Sequence, residues 1–258
     1  MSFCQEMRQY VLCHGAINNV YLDRFQRGDL TDEAFRQFAV EFYNFARFFP
    51  KILVAQLVNT EDETVADELT KVLYSELGNG HTWRRHELLY RDFLRSIGMD
   101  VHEAMTLPML PSTKSYIEGM EQLYSSGNHA TALGASFGLE NMAITMWDHL
   151  IPGLIRLRAT RYPAMDMTYF TFHRELESGH EAAMEKAVAA IDGGSDAGSG
   201  ALSVQERMDF HRGVTAVLDH LEGFWMGLEK TGGQRRQDLD GPDVAPGELH
   251  EGATPLTG

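Results

Sequence analysis

The sequence has few cysteines and few basic residues. Only Cys4 and Cys13 occur among 258 residues, so neither a disulfide framework nor a thiolate metal cage is available. We therefore expect a reducing, cytoplasmic environment. With 22 Lys and Arg against 37 Asp and Glu, the formal charge is −15. This balance argues against nucleic-acid binding, which needs clustered cations to neutralise phosphates.

Long apolar runs and strand patterns are also missing. No uncharged apolar stretch reaches about 18 residues, so we expect no membrane span. The N-terminal segment lacks the basic start and apolar core of a signal peptide. No alternation of β-branched residues indicates a sheet. The chain does have 43% hydrophobic residues, enough for a sizeable core, and eleven histidines.

The hydrophobic periodicity is helical along almost the whole chain. Glycines such as Gly28 and Gly98, the Gly78-Asn79-Gly80 break and the prolines Pro50 and Pro152 are the expected stops or bends. The predicted helices cover about 3–27, 31–50, 63–77, 81–97, 113–125, 130–150, 166–191 and 203–230.

This pattern predicts an all-α fold with one helical domain over residues 1–230. The Gly- and Ser-rich stretch at about 192–202 is typical of a flexible linker before the last helix. Residues 231–258 are rich in glycine, proline and acidic residues, which is typical of a disordered tail.

The most informative segment is YFTFHRELESGHEAAM, residues 169–184. At about 100° per residue, His173, Glu177 and His180 share one helix face. That face continues through Tyr169 and Met184, whereas charged residues occupy the opposite side, so the trio faces the core. A buried carboxylate between two imidazoles is costly unless something pairs with it. Metal ligation is favoured over a hydrogen-bonded core network, which stays open as the alternative.

Three further helices each place a ligand-type residue on their apolar face. Glu76, His86 and Glu140 each continue such a stripe. His81 points about 140° away from His86 and is the weaker alternative. Glu41 shares a stripe with phenylalanines, and it is either a seventh ligand or a glutamate paired with a nearby arginine.

Three carboxylates and three imidazoles are too many for one catalytic zinc, which takes three protein ligands. Two iron or manganese ions fit the set better, with a bridging carboxylate and open positions for dioxygen. Ferritin-like carboxylate proteins carry two Glu-x-x-His motifs. This chain has one, from Glu177 to His180, and the difference argues against a ferritin-like bundle.

Over about residues 15–230 the sequence resembles the haem-oxygenase-like diiron oxidase and oxygenase family, also described as iron-containing redox enzymes. The segment LYSELGNGHTWRRHELLYRDFLRSIGMD resembles the family's glutamate, glycine-rich break and histidine ten residues on, here Glu76 and His86. The predicted seventh helix has the family's His-x3-Asp/Glu-x2-His ending, with Glu177 where aspartate is more usual. Glu140 matches the family's glutamate about thirty residues upstream.

The resemblance implies a haem-oxygenase-like bundle of seven to eight helices, similar to the TenA and PqqC proteins and usually a homodimer. It implies two Fe²⁺ ions, with Mn as an open alternative, and O2 as co-substrate. The implied reaction is oxidation of a small amine, amino acid or carboxylic acid. N-oxygenation and oxidative C–C or C–N cleavage, through a peroxo-diferric intermediate and with an external electron donor, are the expected types. The expected ligands, with no further catalytic residue, are Glu76, His86, Glu140, His173, Glu177 and His180.

Other interpretations stay open. A metal-free relative of the TenA or PqqC type would serve cofactor metabolism, although the thiaminase-like members need a mid-chain cysteine that is missing here. Haem binding through His14 would leave three inward glutamates without partners. A non-enzymatic interaction protein would use the polar stripe as a buried specificity network. Arg156, Arg158 and Arg161 are typical of solvated side chains, with a carboxylate clamp as the alternative.

Overall fold

The computed structural model describes residues 2–192 and 201–239. Within them the chain forms ten α-helices and a 3₁₀ turn, Thr82–Arg84, with no strand. The predicted all-α class is confirmed, and the helix count is higher than the expected seven to eight. The helices are α1 Phe3–Cys13, α2 Val20–Arg27, α3 Asp32–Val58, α4 Glu63–Glu76, α5 His86–Ser96, α6 Val101–Thr106, α7 Pro111–Tyr124, α8 His129–Thr160, α9 Thr168–Ile191 and α10 Val204–Leu239.

Two of the additional breaks come from side-chain caps. The single helix predicted over 3–27 is two helices, because Asn19 caps α2. Its side chain accepts from Leu22 N at 3.0 Å and donates to Gly15 O at 2.9 Å, which competes with a continuous helix. The short α6 was not predicted. Asp100 caps it by accepting a hydrogen bond from Glu103 N at 2.8 Å.

Two helices continue through prolines at which a bend or an end was expected. Pro50 lies inside α3 and Pro152 inside α8. An interior proline costs a helix about 3 kcal/mol, because one hydrogen bond is lost and the ring crowds the preceding turn. The turns after both prolines are buried, for example at Ile52, Leu53 and Leu154. Core packing of these later turns offsets the local cost.

Helix α8 lies at the centre of the bundle and is buried on most sides. It packs against α10, α9, α2, α7 and α1. Helix α10 approaches closely at Gly134, where an added Cβ would lie 2.1 Å from Phe210 O. Helix α9 packs against α8, α4 and α5. This arrangement gathers the four helices that carry the predicted ligands.

The structure describes only part of the predicted linker and of the predicted C-terminal tail. Helix α10 continues beyond the predicted end at about 230 to Leu239, because Gly232 and its neighbour weaken a helix without ending it when helix-forming residues follow. The linker residues 193–200 and the tail residues 240–258 lie outside the described residues. In the described part of the chain, no helix combines the length and apolar character that a membrane crossing requires.

Candidate metal centre

A sharp reversal joins the end of α4 to the start of α5. Gly78, Asn79 and Gly80 have φ values of 90°, 52° and 81°, in the left-handed region that glycine adopts without a steric penalty. The reversal brings the last residue of α4 beside the first residue of α5. Glu76 Oε2 thereby lies 2.8 Å from His86 Nδ1.

Glu76, His86 and His173 form a first group of buried ligand-type residues. Each offers an atom within 4.8 Å of those of the other two. His173 Nε2 lies 3.9 Å from Glu76 Oε1, and His173 Nδ1 lies 2.7 Å from the backbone oxygen of Tyr169. A carbonyl only accepts, so Nδ1 is the protonated nitrogen, and Nε2 of the neutral ring keeps its lone pair for a metal ion.

Glu140, Glu177 and His180 form a second buried group, from the facing helices α8 and α9. His180 Nδ1 lies 3.3 Å from Glu140 Oε2 and 3.8 Å from Glu177 Oε2. Trp147, also on α8, donates a hydrogen bond from Nε1 to Glu177 Oε1 at 2.8 Å. The bond holds one carboxylate oxygen and leaves the other for a ligand.

Burial and neighbouring charges shift the pKa values in both groups. Desolvation and the charge of Glu140 raise the pKa of Glu177 to about 8. Burial opposes ionisation of Glu76 as well, but the adjacent imidazoles outweigh it and lower its pKa to about 2. Desolvation lowers the pKa of His173 to about 3. Desolvation also disfavours the charged form of His180, yet the hydrogen bond and charge of Glu140 raise its pKa to about 9.

The residues present fit a metal ion, because several buried polar atoms have no hydrogen-bond partner. These atoms are both ring nitrogens of His86, Nε2 of His180 and Oε2 of Glu177. His86 Nδ1 is close to Glu76 Oε2, but the angles at this contact are not those of a hydrogen bond. An unpaired buried polar atom costs roughly 1–3 kcal/mol, and such atoms are rare. Imidazole and carboxylate donors without thiolate suit iron or manganese.

A cavity of about 50 Å³ lies between these groups and an apolar wall. The polar side consists of Glu76, Glu140, His173, Glu177 and His180. The apolar side consists of Phe42, Phe45, Ala46 and Phe49 from α3, with Leu139, Met142, Ala143 and Met146 from α8. Trp147 and Tyr169 complete the lining. The polar atoms thus face a small space with apolar surroundings.

All six residues of the predicted ligand set come together, in two groups of three, and all six are buried. The structure does not bring Glu41 or His81 into either group. Glu41 is buried, but its carboxylate accepts from Gln37 Nε2 at 2.7 Å and from Leu110 N at 3.2 Å rather than from an arginine. Burial raises its pKa. His81 is exposed beside Trp83.

Two contributors were assigned only to apolar stripes by the sequence. Trp147 lies seven residues after Glu140 on α8, and that i, i+7 spacing places both on one helix face. Tyr169 precedes His173 by four residues, the distance at which a helical carbonyl meets a side chain. These spacings were present in the sequence, but nothing local showed that the indole would meet Glu177 of α9.

Residues named for the other interpretations lie outside this cavity. His14 ends α1 and forms a third, partly exposed group with Asp219 and Glu222 of α10. It does not line the cavity. Cys4 and Cys13 lie on α1 and do not line it either, so the cavity wall offers no thiol nucleophile.

A family model described as iron-containing redox enzymes matches residues 36–211. The match covers more than half of the chain and includes all six buried ligand-type residues. The chain belongs to this family. It is therefore an oxidoreductase, and the interpretation as a non-enzymatic interaction protein is set aside.

This iron-containing redox enzyme is similar to two curated proteins. It is 26% identical over 220 residues to a 4-chloro-allylglycine synthase of Streptantibioticus cattleyicolor, covering 85% of this chain and 80% of that protein. It is 23% identical over 188 residues to a 4-aminobenzoate synthase of Chlamydia muridarum, covering 73% and 78%.

The fold is similar to that of a Shewanella denitrificans domain described as having a haem oxygenase-like fold. The two chains superpose with a TM-score of 0.64 at 18% identity, and each is covered to 95%. At this identity the similarity shows the fold alone. The predicted haem-oxygenase-like bundle is confirmed.

Proposed function

We propose that this iron-containing redox enzyme holds two Fe²⁺ ions and uses O2 to oxidise a small amine, amino acid or carboxylic acid. The observation that carries the proposal is the pair of adjacent buried groups, each with carboxylate and imidazole donors and each with atoms that no protein group satisfies. One bound ion would leave half of these atoms unpartnered, and two ions use both groups.

One ion would be held by the first group, Glu76, His86 and His173. The second ion would be held by the second group, Glu140, Glu177 and His180. Ferrous ions with open positions would supply the electrons that reduce dioxygen, and an external donor would supply those that the substrate does not provide. Mn²⁺ takes the same donor types, so metal analysis decides between the two metals.

The protein's own part is to fix the ligands before a metal arrives. The Tyr169 carbonyl holds the proton on Nδ1 of His173 and so directs the lone pair of Nε2 into the cavity. Trp147 binds Oε1 of Glu177 and leaves Oε2 unpartnered. Partners of this kind orient metal ligands. Their removal typically lowers metal affinity or activity by on the order of 10–100-fold.

The apolar wall has a protective part. Phenylalanines of α3 and methionines of α8 face the ligands across about 50 Å³ of space. Little bulk water fits there, and water exclusion limits unproductive side reactions at an oxidising centre. This environment favours oxidation of a bound substrate over uncoupled loss of oxidant.

The substrate class rests on the relatives. The names of both, 4-chloro-allylglycine synthase and 4-aminobenzoate synthase, denote products that carry an amino group and a carboxylate. We therefore place an amino acid first among the three substrate classes. N-oxygenation and oxidative C–C or C–N cleavage are distinguished by the mass of the product.

The proposal is tested by loading metal-free protein anaerobically with Fe²⁺ and then admitting oxygen. We expect about two irons per chain and a transient visible chromophore. Oxygen uptake is then followed with panels of amino acids, alkylamines and fatty acids, and products are identified by mass spectrometry. A protein that retains its fold but neither takes up iron nor consumes oxygen would overturn the proposal.

A further inference from the structure

A second, larger cavity adjoins the metal centre, and we propose that it binds the carboxylate of the substrate. The inference rests on the proposed function and adds a recognition site to it. The cavity has a volume of about 520 Å³, within the range of roughly 300–1,000 Å³ that is typical of small-molecule sites. Glu76 lies in the walls of both cavities. A molecule in the outer cavity therefore contacts the residue that also faces the metal centre.

Four cations line this outer cavity, although the chain as a whole carries a charge of −15. Arg47 and Lys51 come from α3, whereas Arg85 and Arg91 come from the start and the middle of α5. Arg91 pairs with Glu87, which also accepts from the hydroxyl of a tyrosine on α3. The other three cations form no ion pair among the described residues.

Arg47 is the central element of the proposed site. Its side chain is half-buried, and its guanidinium lies over the ring of Phe48 at 4.8 Å from the centroid. The buried Nε has no hydrogen-bond partner. A guanidinium that lies against an aromatic ring and forms no ion pair is available to bind a carboxylate through two parallel hydrogen bonds. Lys51, one helical turn after Arg47, has its Nζ at 5.6 Å from the centroid of the same ring.

The N-terminal end of α5 adds positive potential at the same place. Arg85 is the residue that caps this helix, and its side chain makes no capping hydrogen bond. The unpaired N–H groups of a helix start carry a partial positive charge that favours anions. Arg85 and Glu87 both border the cavity, so this helix end lies beside the arginines rather than elsewhere on the surface.

Apart from the cations and from Glu76 and Glu87, the lining of the outer cavity is apolar. This apolar lining indicates that the rest of the ligand is a hydrocarbon group. A purely inorganic anion would leave this apolar surface wet, whereas a carboxylate with a short aliphatic or aromatic part covers both halves. The charged end would lie at the α3 and α5 cations, with the carbon part toward Glu76. The apolar lining consists of Phe48, Pro50, Val54, Leu73, Leu77 and Met105.

The arginines that the sequence suggested for this role lie elsewhere. Arg156, Arg158 and Arg161 are exposed at and beyond the C-terminal end of α8. At 1.5 Å per residue, Arg156 lies roughly 24 Å along the helix axis from Glu140. Arg161 donates to the backbone oxygen of Leu30 at 2.7 Å. None of the three lines either cavity.

The test is calorimetric titration of metal-free protein with hexanoate and with hexylamine, which share an alkyl chain but differ in charge. Without iron, hexanoate cannot bind by coordinating a metal. We expect saturable hexanoate binding that weakens with salt and no comparable binding of hexylamine. Arg47→Met should weaken hexanoate binding roughly tenfold or more, because a charge-assisted bidentate contact is lost. Arg47→Lys should lie between the two, since charge remains without the fork.

Arg95→Met is the matched control. Arg95 lies on α5, is exposed, pairs with Asp92 and lines neither cavity, so hexanoate binding should be unchanged. Equal binding of hexanoate by wild type and Arg47→Met, or equal binding of hexylamine, would overturn the inference. Two irons per chain without hexanoate binding would overturn it while the proposed function stands. Hexanoate binding in a protein that takes up no iron would support the anion site and overturn the proposed function.

Discussion

Trp147 Nε1 and Glu177 Oε1 are joined by a hydrogen bond of 2.8 Å that connects α8 to α9. Both residues are buried. The other carboxylate oxygen of Glu177 has no hydrogen-bond partner and lies 3.8 Å from His180 Nδ1. A glutamate has one more rotatable bond than an aspartate and needs more restraint at a metal site. We expect Trp147 to supply that restraint and so to act as a positioning residue of the proposed centre.

Trp147→Phe should weaken iron binding while the protein stays folded. Phenylalanine keeps an aromatic ring but cannot donate a hydrogen bond, so Glu177 loses its orientation. We expect iron affinity to fall roughly tenfold to a hundredfold, measured by anaerobic Fe²⁺ titration. Trp225→Phe is the control, because that buried indole has no hydrogen-bond partner and lines neither cavity. Equal iron affinity of Trp147→Phe and wild type would contradict the positioning role.

Gly78→Ala should both destabilise the protein and disturb the first group of ligand-type residues, Glu76, His86 and His173. An added Cβ would lie 2.4 Å from His81 O and 2.8 Å from Arg85 N, at a φ of 90°. Left-handed backbone and this clash together cost roughly 1–3 kcal/mol. Thermal unfolding of metal-free protein measures the loss, and Fe²⁺ titration measures the effect on Glu76 and His86.

Gly179→Ala is the matched control for that substitution. Gly179 is exposed within α9, and an added Cβ would meet no heavy atom within 4 Å. Alanine in a helix interior should therefore stabilise the protein by roughly 0.5–1 kcal/mol. Opposite signs for the two glycine variants are expected. A stable Gly78→Ala protein with unchanged iron binding would show that the reversal tolerates a side chain.

Glu41→Gln should leave the iron content unchanged. The carboxylate of Glu41 accepts from Gln37 and from Leu110 N and belongs to neither ligand group. The amide retains one acceptor oxygen, so we expect a loss of about 1 kcal/mol in unfolding free energy with wild-type iron stoichiometry. Glu76→Gln, in contrast, should lower the iron content. Loss of one iron in Glu41→Gln would make Glu41 a seventh ligand.

Iron binding should tighten as pH rises from about 6 to about 8. In metal-free protein, the raised pKa values of Glu177 (about 8) and His180 (about 9) keep protons on both groups near neutral pH. A metal ion binds the deprotonated forms, so loading releases protons, and the release is smaller at higher pH. Calorimetry in two buffers of different ionisation enthalpy measures the proton count. An affinity independent of pH would contradict these protonation states.

The α9 part of the centre could be predicted from the sequence because it is local. His173, Glu177 and His180 recur at helical spacing on one face, and all three are buried as expected. The division into two groups could not be predicted. Which residues of α4, α5 and α8 meet which end of that face depends on helix packing, and apolar stripes do not specify partners.

The outer cavity shows the same limit more strongly. Its cations come from two helices that are not adjacent in sequence, at Arg47, Lys51, Arg85 and Arg91, and no spacing links them. The continuation of α3 through Pro50 decides where Lys51 lies. A local rule would have ended the helix there, and burial of the following turns reversed that outcome.

Iron stoichiometry of paired variants tests the two-ion centre most directly. Metal-free wild type, His86→Ala, His180→Ala and the double variant are titrated anaerobically with Fe²⁺, and circular dichroism confirms that each is folded. We predict about two irons per chain for wild type, at most one for each single variant and none for the double variant. A folded wild type that binds no iron, or a double variant that still binds two irons, would contradict a centre built from these two groups.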